Sequence, residues 1–327
     1  MNALSQFCRV GLLILVASAL APAYGQSSFP QNPVTIIVPY GPGGGADFFA
    51  RTIAPKMGEK LGQPVIIENK AGGGTAIAAS DVARAKPDGY RILLGDVSTF
   101  STNPHLYQKL IYDPARDFTS ITLAGRSPYL LLVNPQVHPQ TSLTEFITAL
   151  QKAPPGTISY GSAGNGGPSH LAAEMFVRAA GVNLIHVAYK GSGPALPDLL
   201  SGNIGMMFMD YAPAKAQITG GKLRALAVTS PQATAVLPNI PPIASVYPGY
   251  EAWFWIALAA PKGTPTTTTD KLREAYIFAI NDPETRKNLI EAGIEPLQTS
   301  SKEMDAYVKS ESARLGRVIK EAGIRLD

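Results

Sequence analysis

The chain has 327 residues, 45% hydrophobic and 16% charged, with 28 Lys and Arg against 24 Asp and Glu for a net charge of +4. This is a globular composition, not a disordered one, and so mild a charge with no basic stripe argues against nucleic acid as a partner. A single cysteine excludes a disulfide framework and cysteine-based zinc sites.

The N-terminal text MNALSQFCRVGLLILVASALAPAYG carries one cation, Arg9, an apolar run over 10–20, and small residues beyond it. This reads as a secretory signal over 1–25, with Ala23-Tyr24-Gly25 as the small-x-small cleavage site and cleavage after Ala23 as the alternative. The run is too short to span a bilayer, which needs about 20 apolar residues. Export to the periplasm is the expectation, and because Cys8 precedes the apolar run the mature chain is expected to hold no cysteine. Its length, about 300 residues, exceeds what one core usually holds, so two lobes are predicted.

In chain order, VTIIVPY (34–40) reads as a buried strand, GPGGGAD as a turn and 48–62 as a helix with an apolar stripe. PVIIENK, TAIAASDVARA and YRILLGD continue the strand and helix alternation of a parallel sheet. At 113–135 the texture changes to two strand-like runs with a short interruption, predicting a crossing into a second lobe. A second alternating unit follows, with strands TISYGSAG, NLIHVAY, IGMMFMD and LRALAVTS. The proline-rich 235–251 suits a return crossing and WFWIALAAPKG a strand. Thr264 and Pro265 read as the cap and first residue of a helix, and Ser300 with Glu303 as a capping box opening a last helix over 301–322. The predicted fold is α/β, with 26–125 and 248–327 forming one lobe and 126–247 the other.

The strongest local feature is VPYGPGGGADFFAR, a buried strand running through glycines into a helix. Ligands of open α/β sheets sit beyond the strand carboxyl ends, and amides at a helix start attract anions. Gly43, Gly44, Gly45 and Ala46 are therefore candidate backbone contacts; Asp47 is either a contact or a dipole partner of its own helix. SYGSAGNGGPSHLAAEMF repeats the logic, offering the hydroxyls of Ser162 and Ser169 and the amides of Ala163 and Gly164, with His170 either a contact or a packed residue under the loop. Tyr40 either covers the ligand or is buried at a strand end. Lys190, at another strand end, is an anion contact or a solvated lysine. Asp210 either contacts ligand or caps the helix beyond Tyr211.

Enzyme signatures are weak. Around Ser162 the text Y-G-S-A-G lacks the first glycine of a nucleophile elbow, and neither a P-loop nor H-E-x-x-H is present. The four histidines, at 105, 138, 170 and 186, show no ligand spacing, so neither catalytic nor metal residues are assigned. The alternative with real support is an NAD(P)-dependent enzyme, because Gly41-x-Gly43-x-x-Ala46 matches the dinucleotide fingerprint and Glu68 ends the next strand. Pro42 in the tight turn and export both weigh against it.

The stretches PVTIIVPYGPGGGAD, PVIIENKAGGGTAIAA, KPDGYRILLGD, YDPARDFTSI, YGSAGNGGPSHLAAEMF, VAYKGSGPALPDLLSG and LRALAVTS resemble, in order, the Bug family of extracytoplasmic solute receptors associated with tripartite tricarboxylate transporters. The resemblance implies a two-lobed periplasmic binding protein of the Venus-flytrap, type II-like kind, with parallel-dominated sheets and a double-crossover hinge. It implies a monomer that performs no chemistry, needs no cofactor and holds a carboxylate between Gly43–Asp47 and the Ser162, Ala163, Ser169 and His170 loop. The implied partner is a membrane permease of the tripartite tricarboxylate transporter type, with an exported sensor or adaptor as an alternative. The segment 96–100, including the candidate contact Ser98, departs from the usual family text, leaving its part in selectivity open. Four or five hydrogen bonds to a charged group, at about 1.5–3 kcal/mol each, cover the roughly 8 kcal/mol of micromolar binding.

Overall fold

A computed structural model of the chain describes residues 29–234 and 236–326, without the side chain of Ala322; the signal segment and Cys8 lie outside the described residues. Residues 32–327 form one compact unit. Within it the chain first builds β1 (Val34–Val38), α1 (Gly45–Leu61), β2 (Val65–Asn69), α2 (Ala76–Ala83) and β3 (Arg91–Asp96). A π turn (Ser98–Thr102), the short α3 (Asn103–Leu106) and the long β4 (Phe118–Pro128) follow. β5 (Leu130–Val133), α4 (Leu143–Lys152), β6 (Ser159–Ser162), α5 (Pro168–Ala180), β7 (Ile185–Ala188), α6 (Ser192–Ser201), β8 (Met206–Met209), α7 (Tyr211–Thr219) and β9 (Arg224–Val228) make the second lobe. The chain returns through β10 (Trp253–Pro261), α8 (Thr266–Asn281), α9 (Pro283–Glu291), β11 (Glu295–Pro296) and α10 (Ser301–Ala322).

Two sheets result, ordered β11-β4-β10-β3-β1-β2 and β7-β6-β8-β5-β9. Both are mixed. Parallel pairing joins β1 to β2 and β3, and β6 to β7 and β8, where helices cross over. The strands that carry the chain between lobes pair antiparallel: β10 with β3 and β4, and β5 with β8 and β9. Parallel character is thus confined to the βαβ halves.

The central strands are apolar on both faces because helices cover both sides. In β1 only Thr35 escapes full burial, and all of β5 and β8 is buried. Phe49 of α1 packs its ring 6.3 Å from that of Tyr276 of α8, closing one layer over the first sheet. β4 and β10 stay paired to the edge of the first lobe, Pro128 against Trp253, and the polypeptide crosses at Tyr129 and Ala252. Thr229 joins both crossings. Its hydroxyl accepts from the Tyr129 amide at 2.7 Å and donates to the Ala252 carbonyl at 2.7 Å, while its own amide donates to Tyr129 O.

Local signals mostly hold. Ser300 and Glu303 form the reciprocal capping box of α10. Two boundaries move. α1 begins within the glycine run at Gly45, three residues ahead of the predicted start, and α8 begins at Thr266 with Pro265 at the cap position. The Thr264 hydroxyl donates back to Pro261 O and caps nothing. α9 and β11 were not predicted, although Asp282 before Pro283 is a cap signal: its carboxylate accepts from the Thr285 amide.

Candidate functional site

Both lobes present strand ends and glycine loops to each other. In the first, β1 leads through Tyr40, Gly41, Pro42 and Gly43 to Gly44, the residue before α1. Gly43 has φ +85°, a conformation that favours glycine, and its amide donates to Asp47 at 3.0 Å. The Asp47 carboxylate also takes Arg51 at 3.0 Å and Asn69 at 3.0 Å, which hold its pKa down against burial. Asp47 therefore ties the loop to its own helix and to β2, and Gly43's N–H is committed to it. Gly44 has open space around the position a Cβ would take. The amides of Gly45 and Ala46 stand in the first turn, where N–H groups have no intrahelical acceptor.

Asp96, at the end of β3, is fully buried. One carboxylate oxygen accepts from the amide and hydroxyl of Thr99 at 3.0 and 2.9 Å, the other from the Tyr40 hydroxyl in a short bond. Burial raises the Asp96 pKa, and the three bonds oppose it. Burial first, then the Asp96 charge, pushes the Tyr40 phenol well up. Thr75, held at φ +81°, reaches Thr99 through its hydroxyl at 3.0 Å. Ser98, beside these groups, is 1% exposed, and its hydroxyl has no hydrogen-bond partner among the described residues.

The second loop is knitted largely by its own side chains. Ser162 lies 2.6 Å from His186 Nε2 and donates to Gly164 O; the Gly164 amide returns a bond to Ser162 at 3.3 Å. The Ala163 amide donates to Ser169 Oγ at 2.9 Å, and the Gly166 amide to His170 Nδ1 at 2.9 Å. His170 stacks on His186 at 3.8 Å and 7°, with Tyr160 stacked on the outside of His186 at 4.9 Å. Tyr160 donates a short bond to Glu174, whose pKa falls to about 2 chiefly through the His170 contact. Burial and then the stacked His170 lower His186 to about 4. His170 thus sits packed under the loop, with one ring nitrogen taken by the loop backbone.

The lobes approach closely. A Cβ on Gly41 would lie 3.1 Å from Lys190 O, and one on Gly193 would lie 3.0 Å from Pro42 O. Lys190 therefore enters the junction through its carbonyl, with its side chain exposed. Asp210, at the end of β8, lies against α1 of the other lobe: a Cβ on Gly45 would be 3.0 Å from its Cγ. The Ser192 hydroxyl donates to it at 3.2 Å, and the Gly45 backbone lies beside it. Burial nevertheless raises its pKa to about 6. Asp210 precedes α7, but makes no side-chain cap to it.

The geometry gathers Tyr40, Gly45, Ser98 and Asp210 at the junction, turns Asp47 aside, and assigns Ser169 and His170 to bracing their own loop. Sequence reading missed Asp96, Thr99, Thr75, Ser192 and Tyr129, whose pKa is raised by burial and then by Asp210. A signal existed for Asp96: YRILLGD ends in an acid at a strand's carboxyl end as IGMMFMD does. Glu68 of the dinucleotide alternative is engaged by Arg91 at 3.0 Å and Lys70 at 3.3 Å. A separate groove of about 1280 Å³, bordered by His105, Ile111, Lys262 and Arg273, shares none of the predicted contacts.

Two α/β lobes joined by paired crossing strands, with facing loops and strand ends between them, define a two-lobed solute-binding protein of the periplasmic type. The chain belongs to the tripartite tricarboxylate transporter receptor family, whose pattern matches residues 49–324. It is 35% identical to an uncharacterised-family relative from Bordetella pertussis over 98% of each chain, and 30% identical to BugT of the same organism over the whole of both. Among solved structures it is similar to an R. palustris protein with adipate, at 36% identity and TM-score 0.87 over 91% of this chain and 99% of that one. It is also similar to MatC from Rhodopseudomonas palustris with bound malate, at 32% identity and TM-score 0.83 over 89% of this chain and all of that one.

Proposed function

We propose that the chain is an exported receptor that closes its lobes on a small carboxylate and delivers it to a membrane permease of the tripartite tricarboxylate transporter type, performing no chemistry on it. One observation carries the reading: a carboxylate from one lobe, that of Asp210, lies against the N-terminus of the other lobe's α1, its Cγ 3.0 Å from where a Cβ on Gly45 would stand. Oriented amides and the helix dipole make that position suitable for an anion without a dedicated arginine. The adipate and malate bound by the two neighbours agree with a carboxylate as ligand. The proposed contacts are the amides of Gly44, Gly45 and Ala46 with Tyr40 and Ser98 from one lobe, and Asp210 from the other, with the loop of Ser162, Ala163 and Gly164, whose polar groups are engaged within it, as the facing wall. Closure excludes water, which strengthens each of these hydrogen bonds.

Thermal-shift screening of the mature protein against dicarboxylates, tricarboxylates, aromatic carboxylates, amino acids and nicotinamide dinucleotides tests the proposal. Stabilisation by one or more carboxylates is expected. Stabilisation by a dinucleotide alone overturns it.

A further inference from the structure

The junction contains two buried acids, and they are not equivalent. Asp96 has both oxygens satisfied, by Thr99 and Tyr40. Asp210, 7% exposed, has Ser192 on Oδ2, while its Oδ1 is buried with no hydrogen-bond partner among the described residues. The Ser98 hydroxyl, beside the Tyr40 phenol that is itself given to Asp96, is likewise buried with no hydrogen-bond partner among the described residues. These free groups come from opposite lobes, and each faces the other lobe: Ser98 lies 3.9 Å from where a Cβ on Gly167 would be, and Asp210 lies against Gly45.

Buried polar atoms in folded proteins are nearly always paired, so a free carboxylate oxygen and a free hydroxyl at a ligand junction mark what the ligand supplies. A bare diacid brings only acceptors and would set like charge against Asp210. A hydroxyl or ammonium group brings a donor.

We propose that Asp210 is a specificity-determining residue, its free Oδ1 accepting a hydrogen bond from a hydroxyl or ammonium group that the ligand carries beside its carboxylate. The receptor then prefers hydroxy- or amino-carboxylates to the corresponding unsubstituted acids. This rests on the carboxylate-receptor reading and narrows it.

The test is calorimetric titration of the mature protein with matched triads: succinate, malate and aspartate; glutarate, 2-hydroxyglutarate and glutamate; phenylacetate, mandelate and phenylglycine. In at least one triad a substituted member is expected to bind about tenfold or more tightly than the bare acid. Preference for the amino member identifies an ammonium donor, and preference for the hydroxy member a hydroxyl. In Asp210→Ala, checked for folding by circular dichroism, that ratio is expected to fall to about twofold or less. If the bare acids bind as tightly as their substituted counterparts, the inference fails while the carboxylate reading stands. A ratio unchanged in folded Asp210→Ala also overturns it. If no carboxylate in any triad binds, the underlying reading fails with it. Should Asp210→Ala not fold, the wild-type ratios decide.

Discussion

Thr229 is hydrogen-bonded to Tyr129 twice, once as donor through its amide and once as acceptor through its hydroxyl, and the same hydroxyl donates to Ala252 O. Tyr129 and Ala252 are where the chain leaves and re-enters the first sheet, so one fully buried side chain couples both crossings. Thr229→Val keeps the shape and leaves an amide and a carbonyl unpaired at a buried place. The expected loss is about 2–6 kcal/mol, from roughly 1–3 kcal/mol for each of the two orphaned groups, read by urea unfolding. Thr229→Ser, which retains the hydroxyl, should lose much less. Equal losses in the two would show that the methyl, not the hydroxyl, matters.

The glycine run offers a graded test. Gly44 has φ −87° and free space where a Cβ would stand, so Gly44→Val should fold normally. Its side chain would occupy the entrance to the α1 amides, and ligand-induced stabilisation should vanish. Gly45→Ala adds only a methyl, yet that methyl would lie 3.0 Å from Asp210 Cγ. It should resist closure and weaken binding by about tenfold, roughly 1.4 kcal/mol. Wild-type affinity in both variants would assign the run a purely structural role.

Asp210 gives the stability an unusual pH dependence. Its folded pKa is about 6, raised chiefly by burial, against an ordinary value of 3.8; the groups facing it are Ser192, Gly45, Asp96, Tyr40 and Tyr129. The folded protein holds this proton more tightly than the unfolded chain does. Its contribution is fully present below about pH 4 and is lost as pH rises through 6, to the extent of about 3 kcal/mol for a shift near two units. Asp210→Asn should therefore gain more stability, relative to wild type, at pH 7.5 than at pH 4.5. Urea unfolding at the two pH values measures this, and equal differences at both would contradict it.

His186 acts in the opposite sense. Its pKa is depressed to about 4 from an ordinary 6.5, first by burial and then by the stacked His170. The unfolded chain binds this proton more readily, so the stability contributed is present above pH 6.5 and is lost as pH falls through 4. Between pH 4 and 6 the two residues offset each other, giving wild type a flatter profile than either single variant. His186→Phe should make stability fall more steeply with rising pH across that window. A slope identical to that of wild type would show that His186 titrates normally.

The texture of the sequence carried the architecture a long way. VTIIVPY, IGMMFMD and LRALAVTS are strands because short, largely apolar runs of that length are buried within the two sheets, and the α10 capping box is a local signal read correctly from two residues. The site was less legible. Asp47 and Asp210 are both acids beside a helix start, yet one binds Arg51 and Asn69 of its own lobe while the other lies against the opposite lobe. Spacing could not separate them, because each role depends on a partner far away in sequence.

By itself the sequence determined the elements, their alternation and the glycine loops at strand ends, since backbone conformation and one-sided burial depend on neighbouring residues. Only the tertiary structure decided which amides are spent inside their own loops, that two acids converge with Tyr40 at the junction, and that one oxygen of Asp210 and the hydroxyl of Ser98 lack a partner among the described residues. The physical reason is that hydrogen-bond satisfaction and desolvation are set by what packs across the junction, and the residues that meet there, Gly45 with Asp210 and Gly41 with Lys190, are brought together only by the packing of one lobe against the other.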